Sequence, residues 1–153
     1  MARLEDIPEP TRTAVANLAC PAFETAPFVS GPKLSERRVA IVTSAALIHR
    51  GDKPFPVGSG EYRAVPESWD NADILMSHVS INFDRAGFQR DINVVFPIDR
   101  LRDLAAEGVI GSVAATHFTF MGSTDPVTMV GSADGMAAAM KADNVNAVVL
   151  TPV

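Results

Sequence analysis

The chain has 153 residues, 47% of them hydrophobic and 20% charged, with a formal net charge of −5 at pH 7. This is the size of one ordinary domain with enough core to fold without staples. The thirteen Lys and Arg residues are scattered rather than striped, which argues against a nucleic-acid partner, and no run of about 18 apolar residues is present to cross a membrane. The single cysteine, Cys20, excludes an internal disulfide, a CxxC pair and a zinc ribbon within these residues.

Residues 1–38 contain five prolines and read as an extended N-terminal arm in which only Thr11 to Leu18 suits a short helix. Its start, MARLEDIPEP, is charged and proline-broken, unlike the apolar core of a signal peptide, and predicts a cytoplasmic protein. Cys20 has no neighbouring group to lower its pKa and reads as a small packed residue. An α/β domain then spans 39–153. Arg38 to Ile48, RVAIVTSAALI, is a continuous apolar run of the doubly buried kind, with a strand predicted over Val39 to Ala45. The loop His49 to Gly60 is rich in Gly and Pro. Glu61 to Pro66 suits a short edge strand that its proline ends. A strand follows over Ile74 to Ser77, and then the polar cluster Asn82, Asp84 and Arg85.

Asp91 to Phe96 carries three β-formers in a row before Pro97, which suits a first helical position. Pro97 to Glu107 is an amphipathic helix with Ile98, Leu101, Leu104 and Ala105 on one face, stopped by Gly108. Val113 to Phe118 is the next strand, with His117 inside it. Strand, helix and strand in this order predict a right-handed parallel crossover. Val127 to Ala142 is a helix weakened by Gly131 and Gly135, and Val145 to Leu150 a last buried strand. The fold expected is a three-layer parallel α/β sheet of the Rossmann-like or flavodoxin-like kind.

His49, His78 and His117 are read as lying at or just past strand carboxyl ends, the edge where a parallel sheet forms its binding crevice. Imidazoles converging there suit proton transfer, anion contact or metal ligation, although each is equally a structural hydrogen-bonding residue. No paired spacing favours a metal. Asp84 and Asp91 suit either orientation of these histidines or turn capping with Arg85 and Arg90. No phosphate loop and no GxSxG elbow is present, so a self-contained serine hydrolase is disfavoured.

The segments RVAIVTSAALIHRGDKPF, EYRAVP, the Ser77–His78 pair, DINVVFPIDRLRDLAAEGVIGS, HFTFMG and NAVVLTPV together resemble the selenoprotein B family of glycine, sarcosine, betaine and D-proline reductases, nearest to the short D-proline reductase type of subunit. The resemblance implies reductive cleavage of a C–N bond in a small amino acid or amine by a selenocysteine or cysteine that follows the last strand, directly after Val153. Within that reading, their strand-end positions make His49, His78 and His117 the catalytic candidates for proton supply and substrate-carboxylate contact, with Ser44, Ser77, Asp91 and Asn93 as substrate-contact candidates, Asp91 and Asn93 being better suited to fixing the backbone. No metal is expected. The sequence stops where the redox residue is expected, which leaves three readings: a selenocysteine codon read as a stop, a polypeptide cut or encoded in two pieces, or a binding and assembly module without the chemistry. The expected partners are a second reductase subunit or the missing C-terminal part, in a homo- or hetero-oligomer. A pyruvoyl group on a partner chain enters only by analogy. The alternatives are a non-catalytic subunit and a three-histidine metal-dependent enzyme.

Overall fold

The computed structural model describes residues 3–17, 22, 24–80 and 85–153. Cys20, Asn82 and Asp84 therefore lie outside the described residues. In the arm, helix α1 (Thr11–Ala16) forms, and no described residue before Val39 is buried. The domain consists of β1 (Arg38–Thr43), β2 (Leu47–His49), β3 (Tyr62–Pro66), β4 (Ile74–Met76), α2 (Ala86–Arg90), α3 (Ile98–Ala106), β5 (Ser112–Val113), β6 (Thr116–Phe120), α4 (Val130–Ala142) and β7 (Ala147–Thr151).

The fold is mixed α/β. Strand β1 runs parallel to β7 along one side and to β5 and then β6 along the other. Strand β3 closes the far side of β6 antiparallel, so the sheet is mixed rather than wholly parallel. Alternation along β1 sends Val39 and Ile41 into a cluster with Phe96, Ile98 and Leu101, and Val42 into another with Phe118 and Met136 of α4. The two apolar faces of β1 explain its continuous hydrophobic sequence.

Three expectations are corrected. First, the run Arg38 to Ile48 is not one strand: it breaks at Ser44 to Ala46, where Ala46 takes a left-handed φ of 53°. The turn is held by Ala46 N–H donating to Phe120 O at 2.9 Å and Leu47 N–H donating to Thr119 Oγ1 at 2.9 Å. The chain then doubles back, and β2 pairs antiparallel with β4 in a separate ribbon, so Ile74 to Met76 is not part of the parallel sheet. Second, Asp91 to Phe96 is no strand. Asp91 Oδ1 accepts the Asn93 N–H at 2.9 Å, which winds Ile92–Val94 into a 3-10 turn and drops Val95 and Phe96 into the core. Local Asx chemistry overrides the β-propensity. Third, the strand predicted over Val113 to Phe118 is split. The register with β1 shifts between Val39↔Val113 and Val42↔Phe118, leaving extra residues at the break in the manner of a bulge.

Of the remaining elements, α4 begins at Val130 after a 3-10 turn over Pro126–Met129, and β7, expected to be buried, has no buried residue because among the described residues only β1 flanks it. Helix α3 lies within Pro97 to Glu107 and ends at Gly108 with φ of 71°. Strand β7 starts later than expected because Val145 N–H still bonds Met140 O of α4 at 2.9 Å.

Candidate functional site

The carboxyl edge of the parallel strands is assembled on Ser44, the residue after β1. Its N–H donates to Thr151 O and its carbonyl accepts the Gly122 N–H, both at 3.1 Å, while its Oγ accepts the Val153 N–H at 2.8 Å. One serine thus ties together the ends of β1, β6 and β7. The approach is close: a Cβ on Gly122 would stand 2.9 Å from Ser44 Cβ and 3.0 Å from Ser44 O, so a glycine is needed there. Beside the tie lies a groove of about 400 Å³ lined by Val42, Ser44, Phe120, Leu150, Thr151 and Pro152. Thr151 Oγ1 is buried without a hydrogen-bond partner.

Strand β4 runs toward the same edge, since it is antiparallel to β2 and the Ser77 N–H donates to Ala46 O at 2.9 Å. Ser77 Oγ accepts the Phe55 N–H at 2.8 Å, which anchors the Gly- and Pro-rich loop on that side. His78 follows, 4% exposed. Its Nδ1 accepts the Ser80 N–H at 3.1 Å, and its carbonyl accepts from Arg85 Nη2 at 2.6 Å. Burial, and then the Arg85 charge, lower the imidazole pKa below its ordinary value.

The other two histidines stand elsewhere. The reversal at Ser44 to Ala46 carries β2 away from the carboxyl edge, and the His49 ring lies 4.8 Å from that of Trp69. Trp69 follows Pro66, the end of β3 that pairs with Thr116 at the start of β6. His49 is therefore toward the opposite edge. His117 is the second residue of β6, not its end, and is fully buried. Its Nδ1 accepts the Ile41 N–H at 3.0 Å, filling the ladder position vacated by the break between β5 and β6. This fixes the neutral tautomer with the proton on Nε2, which has no hydrogen-bond partner. Burial lowers its pKa to about 4. The expected convergence of three imidazoles does not occur: β2 carries His49 away from the carboxyl edge, and His117 stands near the start of β6 rather than at its end. Among the described residues no three His, Cys, Asp or Glu side chains are grouped to hold a metal ion, which removes the geometry of the three-histidine alternative.

Asp91 and Asn93 belong to a network around the α3 N-terminus. Asn93 Oδ1 accepts the Asp99 N–H at 3.0 Å, and its Nδ2 donates to both Asp91 Oδ1 and Asp99 Oδ2 at 2.8 Å. Arg102 joins Asp99 to Glu67. The Asn93 hydrogen bonds lower the pKa of both aspartates. Three positions were not among the sequence candidates: Gly122, Thr151 and Asp143. Asp143 Oδ2 accepts the Ala115 N–H at 2.8 Å at the strand break while Oδ1 holds Arg38 at 2.7 Å. Only Gly122 left a sequence signal, as the glycine closing HFTFMG.

The model of the glycine/sarcosine/betaine reductase selenoprotein B family matches residues 12–153. The chain belongs to this selenoprotein B family. The D-proline reductase subunit gamma of Acetoanaerobium sticklandii is 34% identical over 122 residues, covering 78% of this chain and 50% of that protein. The sarcosine reductase complex component B subunit beta of Peptoclostridium acidaminophilum is 34% identical over 142 residues, 86% of this chain and 31% of that protein. The glycine reductase complex component B subunit gamma of Carboxydothermus hydrogenoformans is 28% identical over 141 residues, 88% of this chain and 32% of that protein. The chain thus spans half or less of the length of these relatives. No solved structure matches it.

Proposed function

We propose that this chain forms part of a glycine-, sarcosine-, betaine- or D-proline-reductase type of subunit that cleaves a C–N bond of a small amino acid or amine reductively. The observation that carries the reading is the family match over residues 12–153, joined to an edge where Ser44, Ser77 and His78 are held by hydrogen bonds. The selenol or thiol is supplied from outside these residues. A selenolate or thiolate attacks the carbon that bears nitrogen, the C–N pair goes to nitrogen, and the amine leaves with a proton. A second thiol then displaces the carbon, which takes a proton, and the Se–S or S–S bond so formed is reduced by an external dithiol.

In this reading Ser77 and His78 are the candidates on the reaction side, and His78 relays the proton to the leaving amine. Because its pKa is lowered, it is mostly neutral at pH 7 and relays best as pH falls. Ser44 contributes by holding the strand ends, and His117 and His49 have structural roles. Asp91 and Asn93 act by fixing the backbone into α3. A hetero-oligomer is the working form, a reading supported by relatives named as subunits and components of complexes. No described helix is long and apolar enough to cross a membrane, which is compatible with a cytoplasmic setting.

The test is reconstitution with the remaining components of the Acetoanaerobium sticklandii D-proline reductase, a dithiol as reductant, and D-proline, glycine, sarcosine or betaine offered separately. Reduced product from one of these, dependent on this chain, is the expected result. Absence of product from all four, or product unchanged when the chain is omitted, contradicts the reading.

A further inference from the structure

Strand β7 pairs with β1 through all five of its residues, and among the described residues no strand pairs with its other side. Its sequence, Ala147 to Thr151, contains none of the lysines, prolines or inward charges that normally protect a free edge from pairing. The two faces of β7 are treated differently. Ala147 and Val149 pack on the core shared with Ile41 and Ile98. Val148 and Leu150, on the face that α4 covers elsewhere, are 41% and 73% exposed. Helix α4 places Met136 over Val42 and Phe118 and stops short of β7. Beside it, Phe28 and Val29 of the arm are 93% and 82% exposed, and together with Ala137 and Met140 they wall a groove of about 460 Å³. The one charged group lining this groove, Arg37, is already used: Nε donates to Pro32 O at 2.8 Å and Nη1 to Asn146 O at 2.9 Å. A groove with an open strand edge and an apolar floor selects an apolar β-strand rather than a charged ligand.

We propose that the open edge of β7, with Val148, Leu150, Phe28 and Val29, is the docking surface for the polypeptide that the relatives carry beyond the stretch matched here, added to the sheet as a further strand. The relatives supply the reason for this occupant. The matched stretch is 50% of the D-proline reductase subunit gamma and about a third of the other two relatives, so each carries at least as much polypeptide again, and among the described residues β7 offers the longest open edge of β1's parallel partners, five residues against the two of β5. Strand addition satisfies the outward backbone groups of β7 and buries Val148 and Leu150 in one step. The inference rests on family membership and not on the chemistry proposed above, and its test reads binding rather than turnover, so the two fail separately.

The experiment co-expresses this chain with the unmatched half of the Acetoanaerobium sticklandii D-proline reductase subunit gamma, purifies through a tag on that half, and follows amide hydrogen exchange at 147–151. Four forms of the chain are compared: wild type, Leu150→Lys, Val148→Lys, and Val127→Lys, the last being a control at an apolar residue 67% exposed elsewhere. Co-purification of wild type and Val127→Lys with slowed exchange at 147–151, and roughly tenfold or greater loss of association in Leu150→Lys and Val148→Lys, is the expected result. Failure of the wild type to co-purify, or equal capture of all four forms, overturns the proposal. So does a dimer of this chain alone that Leu150→Lys dissolves in sedimentation, because the edge then belongs to a second copy.

Discussion

At Ile41 the backbone N–H of a central strand is satisfied by a side chain, the Nδ1 of His117, because the strand that should supply a carbonyl is broken. Removing the ring leaves a buried donor unpaired and a cavity beside Phe96, whose ring lies 5.4 Å away. His117→Ala should therefore destabilise the fold by about 2 to 4 kcal/mol in urea titration, and His117→Gln, which keeps an acceptor, by less. The same residue sets a pH dependence. Its pKa falls from 6.5 to about 4 in the folded chain, chiefly by burial. Above pH 6.5 both folded and unfolded states are neutral there and the stability is fully present. Between 6.5 and 4 the unfolded state binds a proton that the folded state refuses, so stability is lost as pH falls, at up to roughly 1.4 kcal/mol per pH unit. His78 is shifted in the same direction and persists in His117→Gln. The difference between wild type and His117→Gln, measured across pH 4 to 7, should isolate the His117 contribution; parallel curves for the two would contradict it.

At the scale of elements, side chains of short polar residues decide where the chain stops being regular. Asn93 caps α3 through the Asp99 N–H, so Asn93→Ala should cost about 1 kcal/mol by thermal or urea unfolding, and the pKa of Asp91 and Asp99 should rise toward ordinary values by NMR titration. Gly122→Ala would drive a methyl group into Ser44; a cost of about 1 to 3 kcal/mol is expected, with faster amide exchange at Val153, whose N–H is held by Ser44 Oγ. These devices mark what the sequence could convey. Helix α3 and its glycine stop, the edge strand at Tyr62, and β1 were legible because their apolar periodicity matches the burial they receive, whereas β7 was legible as a strand but not as a half-exposed edge, since Val148 and Leu150 read as core. The reversal at Ser44 to Ala46 was not legible, because Ser-Ala-Ala carries no Gly, Pro or Asn to announce a turn, and its hydrogen bonds come from Thr119 and Phe120 on a distant strand. The strand assigned to Asp91 to Phe96 failed for the converse reason: a local Asx turn outweighed three β-formers in a row. In the sequence Ser44 and Ser77 are contact candidates still placed inside predicted strands; the structure ends β1 at Thr43 and β4 at Met76 and so sets both just past strand ends. The separation of His49 and His117 from the carboxyl edge was not legible, since it depends on the direction of β2 and on the break before β6.

On the scale of the whole molecule, the parallel strands converge on one edge, and their other ends are tied by a different set of contacts. There Arg38 donates to Asp143 Oδ1 and to the carbonyls of Asp143 and Val113, fastening the α4–β7 connection to the start of β1. Asp143→Ala removes the partner of Arg38 and of the Ala115 N–H together and should lower the melting temperature while leaving substrate recognition unchanged. The proposed reaction chemistry lies at the opposite, carboxyl edge, with His78 on it and His49 away from it. The measurement that tests this most directly is the rate of reductive C–N cleavage by the reconstituted reductase carrying His78→Gln or His49→Gln, recorded from pH 5.5 to 8. His78→Gln is expected to lose roughly 10²-fold or more in kcat together with the rise in rate toward low pH, while His49→Gln keeps both. Full activity in His78→Gln with loss in His49→Gln would contradict this placement of the chemistry.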